Sequence, residues 1–203
     1  DVGGKKFVHM SGRKGWFVNA DVVLDRLVER IKIETKKRNA EMDDEAVSRI
    51  AEKLAVATLR FEMLKVSPEK IIVFDLEEAT RLEGYTASYV QYAHARACSI
   101  LRKAGHFKVN VAPNKLHKQE IRLVRKFFEL EEILSRTLEE LKPHHLCKYV
   151  YELATIFNEF YHSVPVLSAE PGIKEFRLTL VLTFKKIVAG LLELLGIEPL
   201  ERM

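Results

Sequence analysis

The chain has 203 residues, 47% hydrophobic and 31% charged, with a net charge of +4. This excludes a disordered chain, allows one large domain or two small ones, and is too weakly basic to signal nucleic acid by itself. Two cysteines, Cys98 and Cys147, exclude a disulfide framework and suggest a reducing, cytoplasmic setting, and no apolar run approaches the ~20 residues that span a membrane.

In chain order, residues 3–18 carry glycines, cations and the short apolar pieces Phe7-Val8 and Trp16-Phe17-Val18. They predict two short strands around a glycine-bearing loop. The opening stretch lacks the apolar segment of a signal peptide, and its start without Met is read as belonging to a piece of a longer protein. Asn19 or Asp21 can cap a helix running to about Arg38, with Val23, Leu27 and Ile31 at helical spacing. Asp43 or Asp44 starts a second helix, striped by Val47, Ile50, Leu54, Ala57 and Phe61 and broken at Pro68. The β-branched run "KIIVFD" predicts a short strand or an extended connection, and Leu76–Leu82 one or two helical turns.

A helix over about Ser88–Lys103 follows, with Gly105 suited to its C-terminal cap. After a loop over 106–115, the spacing of Ile121, Val124, Phe127, Ile133 and Leu138 predicts one long helix. Pro143 opens another, with the stripe Leu146, Val150, Leu153, Phe157 and Phe160. The last helix is expected over about Glu175–Leu195, although its start, "RLTLVLT", alternates like a strand. Gly196 stops it. The predicted fold class is mainly α, a helical bundle with a small mixed piece at the N-terminus.

Three stretches carry candidate chemistry. Tyr89 and Arg96 are two helical turns apart and share a face, with Tyr92 between them. Two phenols and a guanidinium on one face form a platform for unstacked bases. The plain structural alternative has half-buried tyrosines and an Arg paired with an acid. The loop "HMSGRKG", with Met10, Ser11, Gly12, Arg13 and Lys14, can close over phosphates, or it is a basic hairpin; it lacks Walker spacing. The basic run includes Arg102, Lys103, Lys115, Lys118, Arg122, Arg125 and Lys126 against the single acid Glu120, and suits phosphate contacts or a solvated face. His144, His145 and Cys147 lack zinc-site spacing, so no metal is expected.

Together, "HMSGRKGWFV", "TLRFEMLKVSPEKIIVFDLEEA", "YVQYAHARACSIL", "LCKYVYELATIFNEFY" and "LGIEPLERM" resemble the C-terminal half of an arginyl-tRNA synthetase, a class I synthetase. The resemblance covers essentially the whole chain in order. It implies a mobile ATP-phosphate loop of the KMSKS type over Met10–Lys14, within 1–38, at the end of a catalytic domain. Ser11, Arg13 and Lys14 would hold the phosphates. His9 and Gly12 depart from the motif's two lysines and leave open which cation contributes most. It also implies a connecting helical segment over 39–84 and an all-α anticodon-binding domain of the class Ia type over 85–203. There Tyr89, Arg96, Tyr161 and Met203 would contact the anticodon loop of tRNA(Arg), with Tyr89 stacking. Gln91 and His94, on another part of the surface, are expected to hold local structure. The intact enzyme implied would use arginine, ATP and Mg2+ and act in the cytoplasm, as a monomer and away from membranes. The HIGH signature occurs nowhere in these residues, so the chain alone is expected to bind RNA, to hold no cofactor and not to aminoacylate. A non-catalytic RNA-binding module sharing the fold is the alternative.

Overall fold

A computed structural model describes residues 17–109, 113 and 115–203. The predicted strand–loop–strand over 3–18, including Met10, Ser11, Gly12, Arg13 and Lys14, therefore falls almost wholly outside the described residues.

Eight helices follow one another among the described residues. Asn19 and Asp43 cap α1 (Ala20–Arg38) and α2 (Asp44–Leu64), each carboxamide or carboxylate accepting a first-turn backbone N–H. These two helices form a hairpin. Leu27 and Ile31 of α1 are buried with Ala51, Leu54, Ala55 and Phe61 of α2. The run "KIIVFD" is an extended connection, not a strand, and Ile71 and Val73 are exposed along it. A single short helix, α3 (Leu76–Ala79), ends it, with Asp75 accepting from Glu77 N and Glu78 N.

The centre of the molecule is α4 (Ala87–Ala104), α7 (His144–Ser163) and α8 (Pro171–Leu194). Thr86 Oγ1 accepts from Tyr89 N to start α4, and Gly105, at φ 67°, ends it in the left-handed region where glycine carries no Cβ penalty. Phe157 of α7 stacks on Phe184 of α8 with centroids 3.8 Å apart. Leu153, Phe160, Val181 and Leu192 are fully buried around that pair.

Two expectations about helix limits change. The single helix expected over Ile121–Leu138 is two, α5 (Lys118–Phe128) and α6 (Leu130–Glu140), meeting at Glu129. The physical reason lies outside the segment. Tyr149 of α7 donates its hydroxyl to Lys126 O at 2.7 Å, and Lys126 Nζ turns in to Glu129 and Glu152 at 2.6 and 2.7 Å. The "RLTLVLT" segment is helix rather than strand, and α8 begins at Pro171, at the first-turn position that tolerates a missing N–H. Its alternation arises because α8 is buried on two sides, by Leu178 with Val181 and by Leu180. Thr179 and Thr183 donate their hydroxyls to Glu175 O and Thr179 O within the helix.

Both cysteines are buried, and burial raises both thiols, Cys147 to about 12. Among the described residues, no helix is long and apolar enough to cross a membrane.

Candidate nucleic-acid interface

α4 is built on a thin spine. Ala87, Ala93 and Ala97 are at most 1% exposed, so the helix lies close against its neighbours. Two sets of larger side chains then leave it in different directions. Tyr89, Tyr92 and Arg96 sit at i, i+3 and i+7. Gln91, His94 and Cys98 repeat that spacing two residues later, about 200° around the helix.

The first set opens on solvent. The Arg96 guanidinium lies between two phenol rings, 4.7 Å from the Tyr92 centroid and 4.9 Å from that of Tyr161 on α7. It also donates from Nη2 to the Tyr92 hydroxyl. Among the described residues its partners are therefore aromatic, not the acid of the plain structural alternative. Cation–π contacts are worth ~0.5–2 kcal/mol each and leave the charge itself uncancelled. Tyr89 is half-buried, its ring tilted on Tyr151 at 5.4 Å. Tyr151 meets Tyr85 at 5.0 Å and Tyr85 meets Phe61 at 5.4 Å, so a row of rings runs from the core to Tyr89. Tyr89, Tyr92, Arg96, Asn158, Glu159 and His162 line a groove of about 650 Å³. Asn158 Oδ1 is buried there without a hydrogen-bond partner.

The second set grips the C-terminal segment. The Gln91 carboxamide, 0% exposed, donates from Nε2 to Glu198 O at 2.7 Å and accepts from Leu200 N at 2.8 Å. His94 Nδ1 meets Leu200 O at 2.8 Å. A carbonyl only accepts, so Nδ1 carries the proton. Lys185 and Lys53 add ion pairs to Glu201 at 3.0 Å and Glu198 at 2.5 Å. Held this way, the segment delivers Met203 to a smaller cavity that shares Tyr92 with the groove.

Of the four residues expected at the interface, Tyr89 and Arg96 share one groove, the Tyr161 ring covers Arg96, and Met203 lines the adjoining cavity, which shares Tyr92 with the groove. Sequence spacing made Tyr92 the second ring of the platform, and in the structure it is also a wall common to both hollows. Asn158 was not anticipated; its place one turn before Tyr161 on α7 was the available signal. The local structure expected of Gln91 and His94 is the anchoring of the C-terminal segment.

The basic run divides. Lys126 is buried and doubly paired, and Arg122 pairs with Glu159 at the groove edge. Arg102, Lys103, Lys115, Lys118 and Arg125 are exposed and make no ion pair with any described residue. Lys118 adjoins Gln119, which lines the groove. Glu120, the one acid of the run, is buried against Arg177 at 2.6 Å. His145 pairs with Glu140 at 2.9 Å, and no cluster able to hold a metal ion occurs among the described residues.

Burial lowers the pKa of His94 below its ordinary 6.5. The folded chain then binds fewer protons at this site than the unfolded chain, so its contribution to stability falls as pH drops below about 6.5. The stability advantage of the parent over a His94→Gln variant, from urea unfolding, should shrink between roughly pH 7.5 and 5.5. A gap constant over that range would contradict the assignment.

Comparison with known proteins decides the family. Residues 90–203, more than half of the chain, match the DALR anticodon binding domain. The chain belongs to the DALR anticodon-binding family. The helices carrying the groove, α4 from Val90 onward and α7, fall within the matched DALR residues. This DALR chain is similar to arginine–tRNA ligases of Methanoregula boonei, 41% identical over 96% of the chain, and Thermococcus sibiricus, 40% identical over 95%. It spans about a third of the length of these relatives, 34% and 32%. Among solved structures it superposes on Thermus thermophilus arginyl-tRNA synthetase with a TM-score of 0.87 and 37% identity, over 96% of this chain and 33% of that one. The Plasmodium falciparum arginyl-tRNA synthetase shares the fold, with a TM-score of 0.79 at 24% identity.

Proposed function

We infer that the protein carrying this chain is an arginine–tRNA ligase, and that the Tyr89–Arg96 groove reads unpaired bases in the anticodon loop of tRNA(Arg). One observation carries the reading. On a DALR domain, an Arg with no ion-pair partner among the described residues lies over the Tyr92 and Tyr161 rings, 4.7 and 4.9 Å from their centroids, at the groove that Tyr89 also lines. Aromatic and guanidinium planes stack on any splayed base, and an uncancelled charge attracts the adjoining phosphates. Arg102, Lys103, Lys115, Lys118 and Arg125 extend that field, with Arg122 shared with Glu159.

In such a ligase ATP activates arginine before transfer to the tRNA, with Mg2+ on the phosphates. Ser11, Arg13 and Lys14, which would hold those phosphates, lie outside the described residues. The division into 1–38, 39–84 and 85–203, monomeric state and cytoplasmic setting belong to the same proposal. The 203 residues alone are expected to bind RNA without arginine-dependent ATP–pyrophosphate exchange.

Tyr89→Ala and Arg96→Ala should each weaken binding of the anticodon stem-loop by ~1–3 kcal/mol, the worth of a stacked base, while each variant still unfolds in one cooperative thermal transition at a somewhat lower temperature. Fluorescence anisotropy at fixed salt measures this. Unchanged affinity in both variants would refute the reading.

A further inference from the structure

α6 carries two apolar rows, and only one of them meets the core. Leu130 and Ile133 pack partly buried against it, and no α6 residue is fully buried. Leu134, Leu138 and, just past the helix, Leu141 stand at i, i+4 and i+7, a second row about 80° around from the first. Their exposure is 37%, 75% and 77%. Single exposed leucines are ordinary on a protein surface, but three in register are not.

Leu141, which ends α6, is the only non-glycine with positive φ among the described residues, at φ 54° and ψ 39°. Lys142 N donates to Thr137 O at 3.2 Å and closes the helix end there. Glycine ordinarily takes this left-handed position because it has no Cβ to clash. A leucine here is strained and stands mostly in water, so neither folding nor solubility accounts for it. An apolar surface laid over the row does.

The charges beside the row set the partner's chemistry. Glu131 shares the face of Leu134 and Leu138, three and seven residues on, and Glu132 and Glu139 form the next row, farther from the core. All three are exposed and make no ion pair with any described residue. On the other side of the helix Glu140 is already held by Arg136 at 2.7 Å and His145 at 2.9 Å. An uncancelled acidic rim repels an anionic membrane surface and attracts a cationic partner. Leucines at i, i+4 and i+7 are the spacing that a second amphipathic helix meets.

We propose that this face of α6 is a docking surface for a basic amphipathic helix of another protein. The apolar side chains of that helix cover Leu134, Leu138 and Leu141, and its lysines or arginines reach Glu131, Glu132 and Glu139. No residue of α6 lines the Tyr89–Arg96 groove, so the two surfaces are distinct.

The probe is a synthetic helix of about 18 residues, long enough to be partly helical alone, with leucines at i, i+4, i+7 and i+11 and lysines flanking them. One control scrambles its order, and another replaces every lysine with glutamate. Binding of the labelled peptides to the 203-residue chain is read by fluorescence anisotropy. The lysine helix should bind, less tightly as salt rises, and the controls on the order of tenfold more weakly. Leu138→Ser should weaken the lysine helix by on the order of tenfold, and Glu131→Gln with Glu139→Gln several-fold. Leu141→Gly should weaken it several-fold without lowering the thermal midpoint, because it relieves the strain. Equal binding of a control peptide, no binding of any peptide, or unchanged affinity in Leu138→Ser overturns the proposal. So does self-association of the parent chain, seen by sedimentation, that Leu138→Ser abolishes, since the occupant is then a second copy. Cys98 and Cys147 are buried, so maleimide labelling of Leu138→Cys reports this row alone. Labelling in the 203-residue chain but not in a full-length protein containing it also overturns the proposal, since the rest of that protein then covers the row.

Discussion

Gln91→Leu should detach the C-terminal segment and lower the stability of the chain by about 2–4 kcal/mol. The carboxamide is fully buried and satisfies two backbone groups at once, Glu198 O and Leu200 N. Leucine is of similar size and packs in its place but offers neither a donor nor an acceptor. Each buried backbone group left unpaired costs ~1–3 kcal/mol. Urea unfolding measures the loss, and hydrogen exchange at the Leu200 amide reports where it occurs. That amide should exchange far faster in the variant, while amides in the middle of α7 change only with global stability. Gln91→Glu keeps the acceptor for Leu200 N but sets a buried carboxylate against Glu198 O, and should lose at least as much at neutral pH. An unprotected Leu200 amide in the parent chain would end this account of the helix face.

The second large effect is expected at Glu120. Its side chain is 2% exposed and pairs with Arg177, itself 12% exposed, while the other carboxylate oxygen accepts from His117 N at 2.7 Å. One carboxylate thus closes the start of α5 and joins it to α8. Glu120→Ala removes the cap and strands a nearly buried guanidinium. Breaking such a pair from one side costs ~3–5 kcal/mol, more than the pair is worth over an apolar replacement. The double variant Glu120→Leu with Arg177→Met should therefore recover much of the stability. A loss below about 1 kcal/mol in Glu120→Ala, or no recovery in the double variant, would show that the pair is well solvated.

The local signals were strong where helices start and stop. Asn19, Asp43, Thr86 and Gly105 bound their helices as their chemistry dictates, because capping involves only neighbours in sequence. The break at Glu129 was not legible. No glycine or proline marks it, and its cause is a hydroxyl from Tyr149, 23 positions beyond the Lys126 carbonyl it meets. The strand-like start of α8 misled for a related reason. A helix buried on two sides loses the single stripe that identifies an amphipathic one. At the interface, the Tyr89–Arg96 face followed from spacing alone. Tyr161 and Met203 came only with the family resemblance, since their approach to Arg96 and Tyr92 depends on how α7 and the C-terminal segment pack on α4.

The clasp of Tyr92 and Tyr161 on Arg96 has an entropic consequence. A free arginine side chain on a surface samples many rotamers, and stilling it on contact costs ~0.5–1.5 kcal/mol. Here that ordering is completed during folding, so on the proposed RNA-loop reading an arriving strand would meet a guanidinium plane already at rest. Discrimination among sequences would then depend on whether the nucleotides can conform to a fixed template, with the adjustment left to the RNA.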